Sequence, residues 1–107
     1  MVAVRDTINN KIKEKPVFVV SKRSCPFCVK AKDALKKYKI LPECLEIMEI
    51  DKSKDMAEIQ DYMLEVTGGR SVPRVFIGGK FIGGGDETVA AHKKGKLQKM
   101  LEDAKAL

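Results

Sequence analysis

Val17-Phe18-Val19-Val20, followed by Lys22-Arg23-Ser24-Cys25-Pro26-Phe27-Cys28, is the stretch from which the fold is read. An apolar run gives way to two thiols three residues apart, and a helix-patterned segment follows. With the helix starting at this point, Pro26 falls in its first turn. Its missing N–H is harmless there, because that position has no intrahelical partner. Cys25 then lies beside the unpaired N–H groups of the helix start, at the positive end of the helix dipole. That field favours the thiolate, the form of sulfur that attacks disulfides. Cys28, one turn on, faces the same side and is placed to attack whatever Cys25 has bound. The local chemistry is that of a redox dithiol.

Outward from this stretch the elements alternate. Residues 16–21 form a short apolar run suited to a central strand buried on both faces. Before it, Val4, Ile8 and Ile12 recur every four residues, so the spacing predicts an amphipathic helix over 3–14, ended before Pro16. After it, Cys28, Ala31, Leu35 and Tyr38 mark one face of a helix over 26–39, which Ile40-Leu41-Pro42 ends. Residues 45–50 set Leu45, Ile47, Met48 and Ile50 between glutamates and read as a second strand. A strand–helix–strand unit of this length implies a right-handed crossover and a parallel pair. Ser53 is the expected N-cap of the next helix, with Asp55 in its first turn. Met56, Ile59, Met63 and Val66 are its expected buried face, and Gly68-Gly69 its end. Two strands, Arg74-Val75-Phe76-Ile77 and Lys80-Phe81-Ile82, are joined by Gly78-Gly79, a strong hairpin signal. Asp86 is the expected N-cap of a helix over 87–94. Gly95 interrupts it, and Leu97, Met100, Leu101 and Ala104 carry a last short helix. The expectation is an α/β fold: a mixed four-stranded sheet flanked by about five helices.

At 107 residues the chain is read as one domain over 1–107. Hydrophobic residues at 44% and charged residues at 34% exclude a disordered chain. No apolar run is long enough to span a bilayer, so no membrane association is expected. Arg5, Asp6, Lys11, Lys13 and Glu14 break up any signal-peptide apolar region, which makes a cytoplasmic setting the default. The net charge of +6 is spread along the chain, with clusters at 11–15, 30–39 and 93–99. Such scatter is that of solvated helix faces, able also to attract anionic substrates. Basic residues are not interleaved with aromatics, so nucleic acid is not an expected partner.

Three cysteines do not make the even, dense set of a disulfide-stapled secreted domain. A Cys-x-x-Cys at the end of a first strand, inside a βαβ unit, is instead the pattern of a thioredoxin-like redox site. Zinc is the competing reading, since Cys25, Cys28, Cys44 and His92 could nominally give four ligands. Structural zinc usually takes two closely spaced pairs, and Cys44 and His92 lie far apart in sequence. No metal is therefore expected. Cys44 reads as an apolar filler or spare thiol and His92 as a solvated surface residue. With one histidine and no Ser/His/Asp set, hydrolase chemistry has little support. Ser71-Val72-Pro73 alone means a turn or an edge; a cis bond would free the preceding backbone to pair with an extended thiol peptide, but most X–Pro bonds are trans. Gly83-Gly84-Gly85-Asp86 alone is a flexible turn, or a carboxylate site made from N–H groups at a helix start.

Together, Cys25-Pro26-Phe27-Cys28, Ser71-Val72-Pro73 and Gly83-Gly84-x-Asp86 strongly resemble the dithiol glutaredoxins of the thioredoxin-fold superfamily. Glu58-Ile59-Gln60-Asp61-Tyr62 agrees as well, and the resemblance spans essentially the whole chain. Phe27 replaces the tyrosine of the family's Cys-Pro-Tyr-Cys, and Ser71 the threonine of its Thr-Val-Pro. Gly85 stands where the family often has a cysteine or other side chain, and Glu87 where an aspartate is commoner.

The resemblance implies glutathione-dependent disulfide reduction, with no tightly bound cofactor and glutathione as co-substrate. Cys25 would be the nucleophile and Cys28 the resolving thiol. Lys22 would sit near the thiolate and the glycine carboxylate of glutathione, with Gln60 nearby. Phe27 would flank the peptide, and Ser71 and Val72 would lead into cis-Pro73, with Val72 pairing to the backbone of the glutathione cysteine. Gly84, Gly85 and Asp86 would hold the γ-glutamyl end. The implied partners are glutathione, glutathionylated proteins and disulfide substrates, met by a monomer. The alternative is a glutaredoxin dimer bridged by an iron–sulfur cluster, acting as a carrier or sensor, as monothiol relatives with Cys-Gly-Phe-Ser do; Pro26 and Cys28 speak against it. Thioredoxin proper would carry Cys-Gly-Pro-Cys and take electrons from a flavoprotein. The preferred reductant could also be a glutathione-conjugate dithiol.

Overall fold

Val17–Ser21 is buried at all five positions, which a strand achieves only between two neighbouring strands with both faces covered. In the computed structural model, which describes residues 3–107, that is its place. The element order is α1 (Val4–Glu14), β1 (Val17–Ser21), α2 (Pro26–Lys36), a 3-10 turn (Pro42–Cys44), β2 (Leu45–Glu49), α3 (Met56–Thr67), β3 (Arg74–Ile77), β4 (Lys80–Gly83), α4 (Gly85–Lys93) and α5 (Lys96–Asp103). The sheet runs β2-β1-β3-β4. The first pair is parallel, joined through α2, and the other two are antiparallel.

Alternation along β1 divides the core in two. Val17 and Val19 meet Ala31 and Leu35 of α2, Ala91 of α4, and Leu97 and Leu101 of α5. Phe18 and Val20 face the other way, onto Ile8 and Ile12 of α1 and Ile59 and Met63 of α3. Phe18 lies 6.1 Å from the ring of Phe76 in β3, and is fully buried. Burial of a side chain of that size contributes roughly 1.5–3 kcal/mol. The β3–β4 hairpin turns on Gly78 and Gly79, both at positive φ (61° and 79°), a geometry that suits glycine.

Several element ends differ from the expected ones. Helix α2 stops at Lys36, although Tyr38 still packs on the core beyond it. Ile50 is buried but lies outside β2. Helix α3 starts at Met56, with Asp55 as N-cap; Ser53 instead closes a tight local turn, its Oγ accepting the Asp55 N–H at 3.0 Å. Val66 is 44% exposed, and Tyr62 rather than Val66 completes the packed face of α3. Gly68 ends α3 in the left-handed conformation, as expected. Helix α4 begins at Gly85, so Asp86 is its second residue and not its cap. Among the described residues no helix is long and apolar enough to cross a membrane.

Candidate active site

The site assembles where three chain segments end on one side of the sheet: β1 running into α2, the loop before β3, and β4 running into α4. Cys25 is the N-cap of α2. Its sulfur accepts the backbone N–H of Cys28 at 3.4 Å, so a thiol does the work usually given to Ser or Asp. Burial pushes the Cys25 thiol up, and this is the largest single influence on it. Hydrogen bonds from the Cys28 thiol and from the N–H groups of Cys28 and Phe27, with the nearby charge of Lys22, outweigh burial and hold Cys25 below its ordinary value. Cys28 goes the other way. It is fully buried, burial dominates, and its thiol is pushed up despite the Lys22 N–H reaching its sulfur at 3.4 Å.

Two cysteines of opposite tendency have a direct consequence in labelling. Iodoacetamide at neutral pH is expected to modify Cys25 well ahead of Cys28, with a Cys25 labelling midpoint below that of an unperturbed cysteine, read by peptide mass mapping. A midpoint at or above the free-cysteine value would contradict the assignment. The stability signs are opposite as well. The contribution of Cys25 is present above its unfolded pKa and lost as pH falls through the folded one. That of Cys28 is present below its unfolded pKa and lost as pH rises through the folded one.

The second segment approaches Cys25 directly. The Val72–Pro73 bond is cis, and the Val72 carbonyl faces the Cys25 thiol, which donates to it at 3.7 Å. Ser71 is exposed, and both its carbonyl and its hydroxyl are held by Arg74, at 2.6 and 2.8 Å. Arg74 in turn lies over the ring of Phe81 at 5.3 Å. From α3, the Gln60 amide donates to the Arg70 carbonyl at 3.0 Å and ties that helix to the same loop.

The third segment closes the arrangement. Gly84 caps α4, and its N–H is taken by the carboxylate of Glu87 at 2.6 Å, one half of a capping box. The Thr88 hydroxyl, fully buried, donates to the Gly84 carbonyl at 2.8 Å. This leaves the N–H groups of Gly85 and Asp86 at the helix start for a ligand. Gly85 lies so close to α2 that a Cβ there would stand 2.6 Å from the Phe27 carbonyl oxygen. Phe27 is half-exposed, with the Lys30 ammonium 5.2 Å from its ring centre. Lys22, half-buried, is near enough for its charge to act on Cys25. A groove of about 730 Å³ between α2 and α4 continues from Asp86, lined by Lys30, Lys37 and Lys93 among others.

Of the residues expected from the sequence, Val72 meets Cys25, Gly85 packs on Phe27 and Gly84 on Pro73, while the Gly84 N–H is already taken by Glu87 and Gln60 bonds to the Arg70 carbonyl. Arg74, Glu87 and Thr88 hold the two flanking loops and were not expected. Glu87, three residues after a helix-capping glycine, fits a known capping spacing and could have been recognised. The other two carry no sequence signal. Cys44 and His92 make contacts elsewhere, although His92 lines the α2–α4 groove that continues from Asp86. The Cys44 thiol donates to the Lys105 carbonyl at 3.8 Å. His92 is not a solvated surface residue: its Nδ1 meets the Tyr38 hydroxyl at 2.6 Å and the two rings stack edge to face. Among the described residues no three or more metal-ligating side chains converge.

A dithiol at the start of a helix, opposite a cis-proline loop on a four-stranded mixed sheet, defines a thiol–disulfide oxidoreductase of thioredoxin-like fold. The comparisons narrow the class. The family model described as Glutaredoxin matches residues 17–82. A glutaredoxin of Solanum lycopersicum is 50% identical over 92 residues, covering 86% of this chain and 82% of the relative. The crystal structure of oxidized glutaredoxin 2 from Chlamydomonas reinhardtii superposes with a TM-score of 0.90 at 47% identity, covering 96% of this chain and 94% of that one. A buckwheat glutaredoxin–glutathione complex gives 0.88 at 34% identity, covering 96% and 91%. This chain belongs to the glutaredoxin family.

Proposed function

We propose that the protein uses glutathione to reduce protein–glutathione mixed disulfides through Cys25 alone, and protein disulfides through Cys25 and Cys28 together. The observation that carries this reading is the closeness of the α4 start to the first turn of α2. It brings the helix start at Gly85 against Phe27, two residues from Cys25, while Val72 meets the Cys25 thiol itself. A tripeptide thiol joined to Cys25 would lie between them. Its γ-glutamyl carboxylate would take the Gly85 and Asp86 N–H groups, and its ammonium the Asp86 carboxylate. Its cysteine backbone would pair with Val72. Its glycine carboxylate would lie toward Lys22, with Gln60 and Ser71 shaping that end and Phe27 walling the groove. The relative of known structure in complex with glutathione supports the same choice of thiol.

The chemistry follows from the two thiols. The Cys25 thiolate attacks the glutathione sulfur of a glutathionylated protein, forms a Cys25–glutathione disulfide and releases the protein as a thiolate that takes up a proton. The thiolate of a second glutathione then attacks the glutathione sulfur of that disulfide, releasing oxidised glutathione and the Cys25 thiolate. For a protein disulfide, the Cys25 thiolate attacks one sulfur and releases the other. The Cys28 thiolate then attacks Cys25 and releases the second protein thiolate, and both released thiolates take up protons. Two glutathiones in turn reduce the Cys25–Cys28 bond and leave as oxidised glutathione. The test is a mixed-disulfide assay coupled to glutathione and glutathione reductase, run in parallel with thioredoxin reductase and no glutathione. Turnover is expected only in the first. Turnover only in the second would make the protein a thioredoxin in function.

A further inference from the structure

Behind Cys28 lies a buried polar cluster that the disulfide exchange described above leaves without a role. Ser21 ends β1 and is fully buried, one of two polar residues so placed among those described. Its register partner in β2 is Glu49. By the alternation along β1, Ser21 faces the same side as Val17 and Val19, toward α2. Glu49 reaches α2 too: its Oε2 takes the Lys32 ammonium at 2.8 Å, and Lys32 stands one turn beyond Cys28. The other carboxylate oxygen, Oε1, is buried without a hydrogen-bond partner.

Ser21 has one hydroxyl proton, and in the resting protein it makes only a long bond of 3.4 Å to the Lys22 carbonyl. The N–H of the same Lys22 points at the Cys28 sulfur. Ser21 and Glu49 are thus neighbours on the face of the sheet turned toward α2. Ser21 and Cys28 are both bonded to the Lys22 backbone, so the weakly held hydroxyl proton has Glu49 beside it and Cys28 one residue's backbone away. A buried anion without donors is costly, so the destination of that proton matters. The influences on the two groups agree. Burial pushes the Cys28 thiol up and the hydrogen bond with Cys25 adds to it, while the Lys22 N–H and, more weakly, the Ser21 hydroxyl draw it down. Burial pushes Glu49 up, Lys32 and then Ser21 outweigh it and draw Glu49 down, and the nearby Asp51 carboxylate opposes them.

We propose that the Ser21 hydroxyl is the hydrogen-bond donor to the Cys28 sulfur during resolution, that Glu49 competes for the same proton, and that this pair sets how often Cys28 closes onto Cys25. The step rests on the dithiol route proposed above. Cys28 loses its proton, its thiolate attacks the Cys25 sulfur of a Cys25–S–S–R disulfide, and the Cys25–Cys28 bond forms as the bond to R breaks. R leaves as a thiolate and accepts the proton that Cys28 gave up. Cys28 is oxidised and R is reduced, while Ser21 keeps its proton throughout.

The two partners predict shifts of opposite sign. In a Cys25→Ser, Cys44→Ala background Cys28 is the only remaining thiol, and its ultraviolet thiolate absorbance can be titrated. Ser21→Ala is expected to move that titration to higher pH, and Glu49→Gln to lower pH, since it frees the Ser21 proton and removes a neighbouring anion. With the native cysteines, protein-disulfide reduction at neutral pH is expected to fall about tenfold in Ser21→Ala, the loss that one pKa unit gives, and to rise in Glu49→Gln. Unchanged titrations, or shifts of the same sign in both variants, would overturn the proposal. Should Ser21→Ala not fold, the direction of the Glu49→Gln shift decides. The titration needs no glutathione, so a failure of the glutathione reading is seen separately, as absent glutathione-coupled turnover in the unaltered protein.

Discussion

Cys25→Ser is expected to lower glutathione-coupled turnover roughly a thousandfold or more, to the background set by glutathione alone. A hydroxyl at the α2 N-cap keeps the hydrogen bond from the Cys28 N–H, so the helix should form as before. What is lost is the nucleophile, because the surroundings that hold the Cys25 thiol down cannot ionise an alcohol at neutral pH. Cys28→Ser separates the two routes. Reduction of a glutathionylated protein is expected to stay within about threefold of the native rate, since the second glutathione replaces Cys28. Reduction of a protein disulfide is expected to drop at least about tenfold, because Cys25 stays trapped in the mixed disulfide. The measurement is the coupled assay on both substrates. Cys25→Ser retaining activity would sink the assignment of the nucleophile. Equal losses on both substrates in Cys28→Ser would sink the division of labour.

The second large effect belongs to Gly85. A Cβ at this position would stand 2.6 Å from the Phe27 carbonyl oxygen and 3.1 Å from the Phe27 Cβ. The first of these contacts is backbone at the start of α2 and cannot swing aside, so Gly85→Val must drive α4 away from the dithiol turn. Overpacking of this kind costs about 1–3 kcal/mol. The same displacement carries the Gly85 and Asp86 N–H groups away from the first turn of α2. The KM for a glutathionylated substrate is therefore expected to rise about tenfold or more, equivalent to about 1.4 kcal/mol of lost binding. Gly68→Ala is the control. Gly68 has nothing within 4 Å of a built Cβ, so the substitution bears only on its left-handed backbone, with φ at 85°. It should lose stability without changing KM. A Gly85→Val protein with native KM would show that the α4 start does not bind the tripeptide.

Gly85 also marks where the sequence stops being informative. Its identity shows at once, and so does the expectation that backbone and not side chain makes its contacts. How closely it approaches Phe27 depends on the packing of α4 against α2, which no local pattern encodes. The elements read correctly were those written in short-range grammar: the two-sided burial of Val17–Val20, the Gly78-Gly79 hairpin turn, the Gly68 helix end, and the thiols around Pro26. Misreadings arose where two capping solutions compete. Ser53 was expected to cap α3 with Asp55 in its first turn, but the chain uses Ser53 to turn before the helix begins and Asp55 takes the cap position. Asp86 looks like a cap for α4, but Glu87 reaches back to Gly84 and moves the start two residues earlier. His92 was misjudged for a different reason. Its partner Tyr38 lies 54 residues away, so only the tertiary fold brings the two rings together. Ser21 was passed over because a serine at a strand end is ordinary until its burial is known.

The enclosed position of β1 bears on how the site can move. With β2 and β3 on either side and a helix layer on each face, its backbone amides exchange with solvent only when much of the domain opens. Cys25 hangs four residues beyond that strand, on the first turn of α2. The Cys25 thiol is thus anchored to the most enclosed strand of the sheet. The Ser71–Pro73 loop lies outside the sheet and is held mainly by the Arg74 side chain, so of the segments around Cys25 it is the one with the most room to yield.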